Sequence, residues 1–166
     1  VNYISKITCR RLHKHMELIK ENTEWGRKVF ELEDRFRKEW TVIDRERLEE
    51  HIIILGEVME GWVIDWGVDD DKMYIEYHKV PGTPASQFAH TPQFIKKIYD
   101  FCMFTINETS PYAHYDWVLS NIMIDGDKMY MVDWDNVGLY NEDQIMTKLH
   151  ADLTSAFGDK FDPASL

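Results

Sequence analysis

The segment that most constrains this chain lies between Asn121 and Trp134. Two apolar runs, Ile122-Met123-Ile124 and Met129-Tyr130-Met131-Val132, flank Asp125-Gly126-Asp127-Lys128. Strand-forming residues on either side of a glycine-containing polar turn make a β-hairpin. A hairpin brings its two ends together, so Asn121, entering the first strand, and Asp133, leaving the second, become neighbours. Just upstream runs His114-Tyr115-Asp116-Trp117-Val118-Leu119-Ser120-Asn121. The order is therefore His-x-Asp, four residues, Asn, a hairpin, and an Asp twelve residues after the Asn. An Asn oxygen beside a carboxylate is a hard-oxygen pair suited to Mg²⁺, which takes few protein ligands and completes its shell with water and phosphate. Asp116, on the preceding loop, is placed to accept a proton from a hydroxyl. The competing reading makes Asp116 a loop anchor and the other two ordinary turn residues.

Composition narrows the setting. The chain has 166 residues, 44% of them hydrophobic, with 8 Phe, 8 Tyr and 6 Trp. That is enough to bury a core, as one domain or as two small lobes sharing a cleft. The net charge is −11, which argues against a nucleic-acid footprint. It is uneven: residues 1–50 carry 12 Lys/Arg against 11 Asp/Glu, and the rest carry 7 against 19. Crowded carboxylates suit a divalent cation or simply a soluble acidic surface. The two cysteines, Cys9 and Cys102, form no CxxC, so no zinc cluster is expected, and Cys102 reads as a buried helical thiol. The longest apolar run, Ile52–Leu55, is four residues, so no membrane partner is expected and a cytoplasmic, reducing setting fits. His13-x-His15 sits on one strand face but lacks a third metal ligand.

Elsewhere the pattern predicts strands at Met16–Lys20 and Arg27–Leu32, around a turn at Thr23–Gly26. Phe36, Trp40 and Ile43 recur at i, i+4, i+7 and predict an amphipathic helix from Asp34 to about Glu50. Gly61–Gly67 and Lys72–His78 read as strands around Asp69-Asp70-Asp71, and Pro81-Gly82-Thr83-Pro84 ends regular structure. Thr91-Pro92 opens a helix with Phe94, Ile98, Phe101, Cys102 and Thr105 inward, ending near Asn107. A last helix spans roughly Glu142–Phe157.

The 114–135 segment resembles the catalytic loop and metal-binding segment of the protein-kinase-like superfamily. It is most similar to the small-molecule branch, the aminoglycoside phosphotransferases and choline kinases. There the metal Asp is commonly followed by an aromatic and an acid, as in Asp133-Trp134-Asp135. The resemblance covers residues 27–140 and is specific only at 114–135. It implies an α+β, two-lobed, reduced kinase-like fold. Residues 1–78 form a small β-rich N-lobe with one helix, and residues 79–166 a helical C-lobe with the catalytic hairpin. It implies ATP- and Mg²⁺-dependent phosphotransfer to a small-molecule hydroxyl. In that scheme Asp116 is the base, His114 braces the loop, and Asn121 with Asp133 holds Mg²⁺. Backbone groups near Glu76, Tyr77 and His78 cradle adenine, and Glu39, on the predicted helix, pairs with a phosphate-binding Lys.

Some features depart from that pattern. No glycine precedes Gly26, and Glu31 falls where the phosphate-binding Lys is expected, with Lys28 or Lys20 as substitutes. Only 31 residues follow Asp135, so the acceptor site is expected to be minimal, or supplied by a partner or a second subunit in a homodimer. These departures keep a second reading open, a catalytically silent kinase-like binding module. An unrelated metal-dependent hydrolase is the third.

Overall fold

The computed structural model describes residues 16–22, 26–41, 45–59, 61–69 and 71–165. Cys9, His13, His15 and the predicted turn at 23–25 lie outside them. The chain forms two units. One comprises the described residues of Val1–Val42 with Ile64–His78; the other comprises those of Ile43–Val63 with Lys79–Leu166.

The first unit is a five-stranded sheet. Its strands are β1 (Glu17–Asn22), β2 (Arg27–Glu31), β3 (Arg35–Thr41), β4 (Val63–Asp69) and β5 (Lys72–His78), in the order β1-β2-β3-β5-β4. β3 occupies much of the stretch expected to be helical. Phe36 and Trp40 satisfy a helical period, but with Lys38 they also satisfy a period of two. The register settles which period wins: Phe36 lies opposite Tyr77, Lys38 opposite Ile75 and Trp40 opposite Met73. Met73 and Ile75 are fully buried, so this face is the unit's core. The other face carries Arg35, Arg37 and Glu39 opposite His78, Glu76 and Tyr74. Cross-strand charge pairing makes this burial tolerable. The Arg37 Nε donates to Glu39 at 2.8 Å, and one Nη donates to Glu76 at 3.1 Å. The guanidinium also stacks 3.9 Å above the Tyr74 ring.

The helix expected over 34–50 begins later, as α1 (Arg45–Val58), and groups with the second unit. Ile52 and Leu55 are buried on it, at i, i+3, and Met59 is buried just past its end. α2 (Pro92–Thr109) starts where Thr91 Oγ1 accepts from Phe94 N at 3.2 Å. Its buried stripe is Ile95, Ile98, Cys102 and Thr105. Phe94 and Phe101, expected inside, flank that stripe half-buried. Burial pushes the Cys102 thiol up to about 12. α3 (Glu142–Phe157) opens with a reciprocal cap between Asn141 and Gln144 and buries Ile145, Leu149, Leu153 and Phe157.

The predicted hairpin is β8 (Ile122–Asp125) and β9 (Lys128–Met131), joined by Gly126 and Asp127. Gly126 has φ +60°, the positive value such a two-residue turn demands. Against expectation, regular structure continues past Pro81: β6 (Thr83–Pro84) pairs with β8 and completes a three-stranded sheet. Gly82 permits this approach. A Cβ there would sit 2.4 Å from the Ile124 carbonyl oxygen, and its φ is +106°. A second small ladder pairs β7 (Tyr112–Ala113) with β10 (Gly138–Leu139). Residues 114–137 are thereby pinned at both ends, with the hairpin projecting between. Among the described residues no helix is long and apolar enough to cross a membrane.

Candidate active site

His114 follows β7 directly and is fully buried. Its Nδ1 accepts from the Asp116 backbone N–H at 3.1 Å, so that nitrogen carries no proton. Nε2 therefore holds the hydrogen and donates to the Val132 carbonyl at 3.0 Å. Burial pushes the His114 pKa down, while the Val132 carbonyl and the Asp116 and Asp133 carboxylates oppose that shift more weakly. The ring meets Trp134 edge-on at 4.8 Å and lies 5.7 Å from Trp117. With both nitrogens engaged, His114 ties the loop to the end of the hairpin.

The rest of the loop is fixed in the same manner. Asn121 Nδ2 donates at 3.2 Å to both the backbone carbonyl and Oδ2 of Asp116. That use of the amide nitrogen leaves Asn121 Oδ1 as its remaining acceptor. The Val132 N–H donates to the Asn121 carbonyl at 2.8 Å, extending the β8–β9 ladder by one step. Asn121 thus stands across from Val132, one residue from Asp133. Asp133 has φ 62° and ψ 53°, the one non-glycine residue with positive φ among those described. A non-glycine residue there costs about 1–3 kcal/mol, and such strain gathers at functional sites. The Trp117 N–H donates to Asp152 Oδ2 on α3 at 3.0 Å, and Lys148 Nζ holds that carboxyl oxygen at 2.6 Å. Asp152, 19 residues beyond Asp133, has no signal in the local motif. Both Trp117 and Trp134 are buried packing residues.

Among the described residues no group of three or more His, Cys, Asp or Glu side chains is gathered to hold a metal. Asn121 Oδ1 and the Asp133 carboxylate are the groups that could hold Mg²⁺, an ion that takes few protein ligands and completes its shell with phosphate oxygens.

The remaining predicted residues lie in the first unit. Lys28 and Glu39 are register partners on β2 and β3. Lys28, 40% exposed, pairs with Glu21 at 3.2 Å. Glu39 is on a strand, not a helix, and its carboxylate is taken by Arg37. It cannot serve as a helical partner for a phosphate-binding Lys. Glu76 is likewise held by Arg35 and Arg37. Glu76, Tyr77 and His78 are the last three residues of β5, in register with Arg37, Phe36 and Arg35. Lys38 is not among the predicted site residues, and the predicted helix would place it on a polar face. It is a buried cation at the centre of the apolar face, in register with Val29 and Ile75, its Nζ 5.7 Å from the Tyr77 ring centroid. The available signal was the alternation Phe36-x-Lys38-x-Trp40.

Solved structures with a similar fold include WbdD, described as a bifunctional kinase-methyltransferase, and aminoglycoside phosphotransferase APH(3'')-Id from Streptomyces rimosus. The WbdD match has a TM-score of 0.60 and 15% identity, covering 86% of this chain and 37% of WbdD. The phosphotransferase match has a TM-score of 0.55 and 16% identity, covering 87% of this chain and 79% of that one. The chain has a protein-kinase-like fold. It spans just over a third of the WbdD chain. No family model matches the sequence, and a sequence search of curated proteins finds no match.

Within the second unit of this kinase-like fold, Val118, Leu119 and Ser120 line a cavity of about 400 Å³. Ser86 and His90 line it too, with Asp152 and Ser155 of α3. Val118–Ser120, between Asp116 and Asn121, therefore contribute one wall of an open pocket with apolar and polar lining.

Proposed function

We propose that the chain is an ATP- and Mg²⁺-dependent phosphotransferase acting on a hydroxyl of a small molecule. The observation that carries this is the fixed 114–133 segment: His114 ties the loop to the hairpin, Asn121 grips Asp116, and the hairpin ladder sets Asn121 beside the strained Asp133. In the proposed reaction Asp116 accepts the proton of the acceptor hydroxyl as it attacks the γ-phosphorus. Asn121 Nδ2 orients the carboxylate that does so. Asn121 Oδ1 and Asp133 would hold Mg²⁺, which when bound neutralises phosphate charge. The buried Lys38 replaces Lys28 and Lys20 as the candidate cation for the nucleotide phosphates. The end of β5, Glu76–His78, would offer backbone groups to the adenine. The pocket along Val118–Ser120 would admit a polar acceptor.

A silent binding module is the second reading, favoured by the lack of any glycine before Gly26. Incubating the protein with ATP, Mg²⁺ and a panel of small hydroxyl compounds, and measuring ADP formation, separates the two. Acceptor-dependent ADP formation is expected. Nucleotide binding with no turnover on any acceptor supports the silent module, and no nucleotide binding at millimolar concentration overturns both the reaction and the nucleotide site.

A further inference from the structure

A second cavity, of about 290 Å³, lies in the second unit away from Asp116 in the chain. Its walls come from the end of α1, from α2 and from β9, and they are rings and thioethers. Trp62 and Tyr130 meet edge-to-face, centroids 5.5 Å apart at 75°, and form one corner. Met129 adjoins them, and Trp134, 5% exposed, is also part of the lining. Phe104 lines the cavity from α2 while 59% exposed, an unusual state for a large ring.

Some polar groups of this lining are engaged. Trp134 Nε1 donates to the Met131 carbonyl at 3.0 Å. The Thr105 hydroxyl donates to the Phe101 carbonyl, and the Thr109 hydroxyl reaches the Thr105 and Tyr112 carbonyls. The Trp62 indole N–H and the Tyr130 hydroxyl have no hydrogen-bond partner among the described residues, and neither does Glu108. It is the one charged residue lining the cavity, and among the described residues its carboxylate has no ion-pair or hydrogen-bond partner.

An apolar concavity with a few directed polar groups is the usual form of a small-ligand site. Aromatic faces also attract cations, and an unpaired carboxylate at the same place adds a counter-charge. We propose that this cavity binds a flat aromatic molecule carrying a protonated amine, the ring system against Trp62, Tyr130 and Met129 and the ammonium at Glu108. The proposed ligand contacts, Trp62, Tyr130, Met129 and Glu108, have no role in the phosphotransfer reading, although the lining residue Trp134 also packs on His114.

Two probes of one shape test it: 1-naphthylmethylamine, which is cationic, and 1-naphthalenemethanol, which is neutral. Each is titrated into the full chain while the indole N–H resonances of Trp62 and Trp134 are followed by NMR. The amine should shift both resonances and bind about three- to fivefold more tightly than the alcohol, the range expected of one exposed ion pair. Glu108→Gln should bring amine affinity down to that of the alcohol while leaving the alcohol unchanged. The proposal is overturned if neither indole moves with millimolar amine. It is also overturned if the two probes bind wild type equally, or if Glu108→Gln leaves the preference intact.

Discussion

Two regions concentrate charge and buried polar groups, and they handle them oppositely. On the polar face of the first unit's sheet, side chains satisfy one another: Arg37 bonds Glu39 and Glu76, and Arg35 bonds Glu76 and Asp34. In the 114–133 segment, side chains bond the backbone: His114 to Val132 and Asp116, Asn121 to Asp116, Asp152 to Trp117. A network closed on itself supports a sheet and leaves Glu39 and Glu76 little capacity for a ligand. Side chains that bond backbone fix the path of a loop, and so fix where its carboxylates stand.

Substitutions should divide along that line. The largest effect is expected at Asp116. Asp116→Asn keeps an oxygen for Asn121 to bond but removes the base, so phosphoryl transfer should fall about 10²–10⁴-fold with the melting temperature little changed. Loss of stability in step with loss of rate would assign Asp116 to the structural kind. Arg37→Ala should do the reverse. It leaves the buried Glu39 without its guanidinium and Glu76 with Arg35 alone, so urea unfolding should show a loss of about 3 kcal/mol.

His114 belongs to both kinds and should show it in pH dependence. Its pKa is lowered in the folded chain from an ordinary 6.5, mainly by burial. Below that ordinary value the unfolded chain takes up a proton that the folded chain refuses. Unfolding free energy should therefore be full above pH 6.5 and decline as pH falls below it. His114→Asn, which cannot titrate, should lack that part of the slope. The smallest effect is expected at the exposed Lys28–Glu21 pair, where Lys28→Ala should cost under about 1 kcal/mol in the same urea experiment.

The strength of local signals decided how much could be read from residues alone. The 122–131 hairpin, the Thr91 cap and the extent of α3 were legible because turn, cap and period agree within each stretch. The region from Asp34 to Glu50 was not. There Phe36 and Trp40 fit two periods, and a lysine at the centre of the apolar face hides the alternation that marks β3. Only pairing with β5, more than thirty residues away in sequence, decides between them. For the same reason the pattern places both Glu39 and Lys38 on the polar face of a helix. At the candidate site, the proximity of Asn121 and Asp133 followed from hairpin geometry. The contribution of Asp152 did not, because a contact from α3 to Trp117 leaves no mark in the motif.

The central proposal is that the hairpin would gather Asn121 and Asp133 into a cation-dependent nucleotide site. Thermal unfolding of wild type and Asp133→Ala, with ATP or GTP and with or without Mg²⁺, tests it most directly. A nucleotide-induced rise in melting temperature is expected, one that requires Mg²⁺ and vanishes in Asp133→Ala. No rise with either nucleotide at millimolar concentration, or an equal rise in the variant, would contradict it.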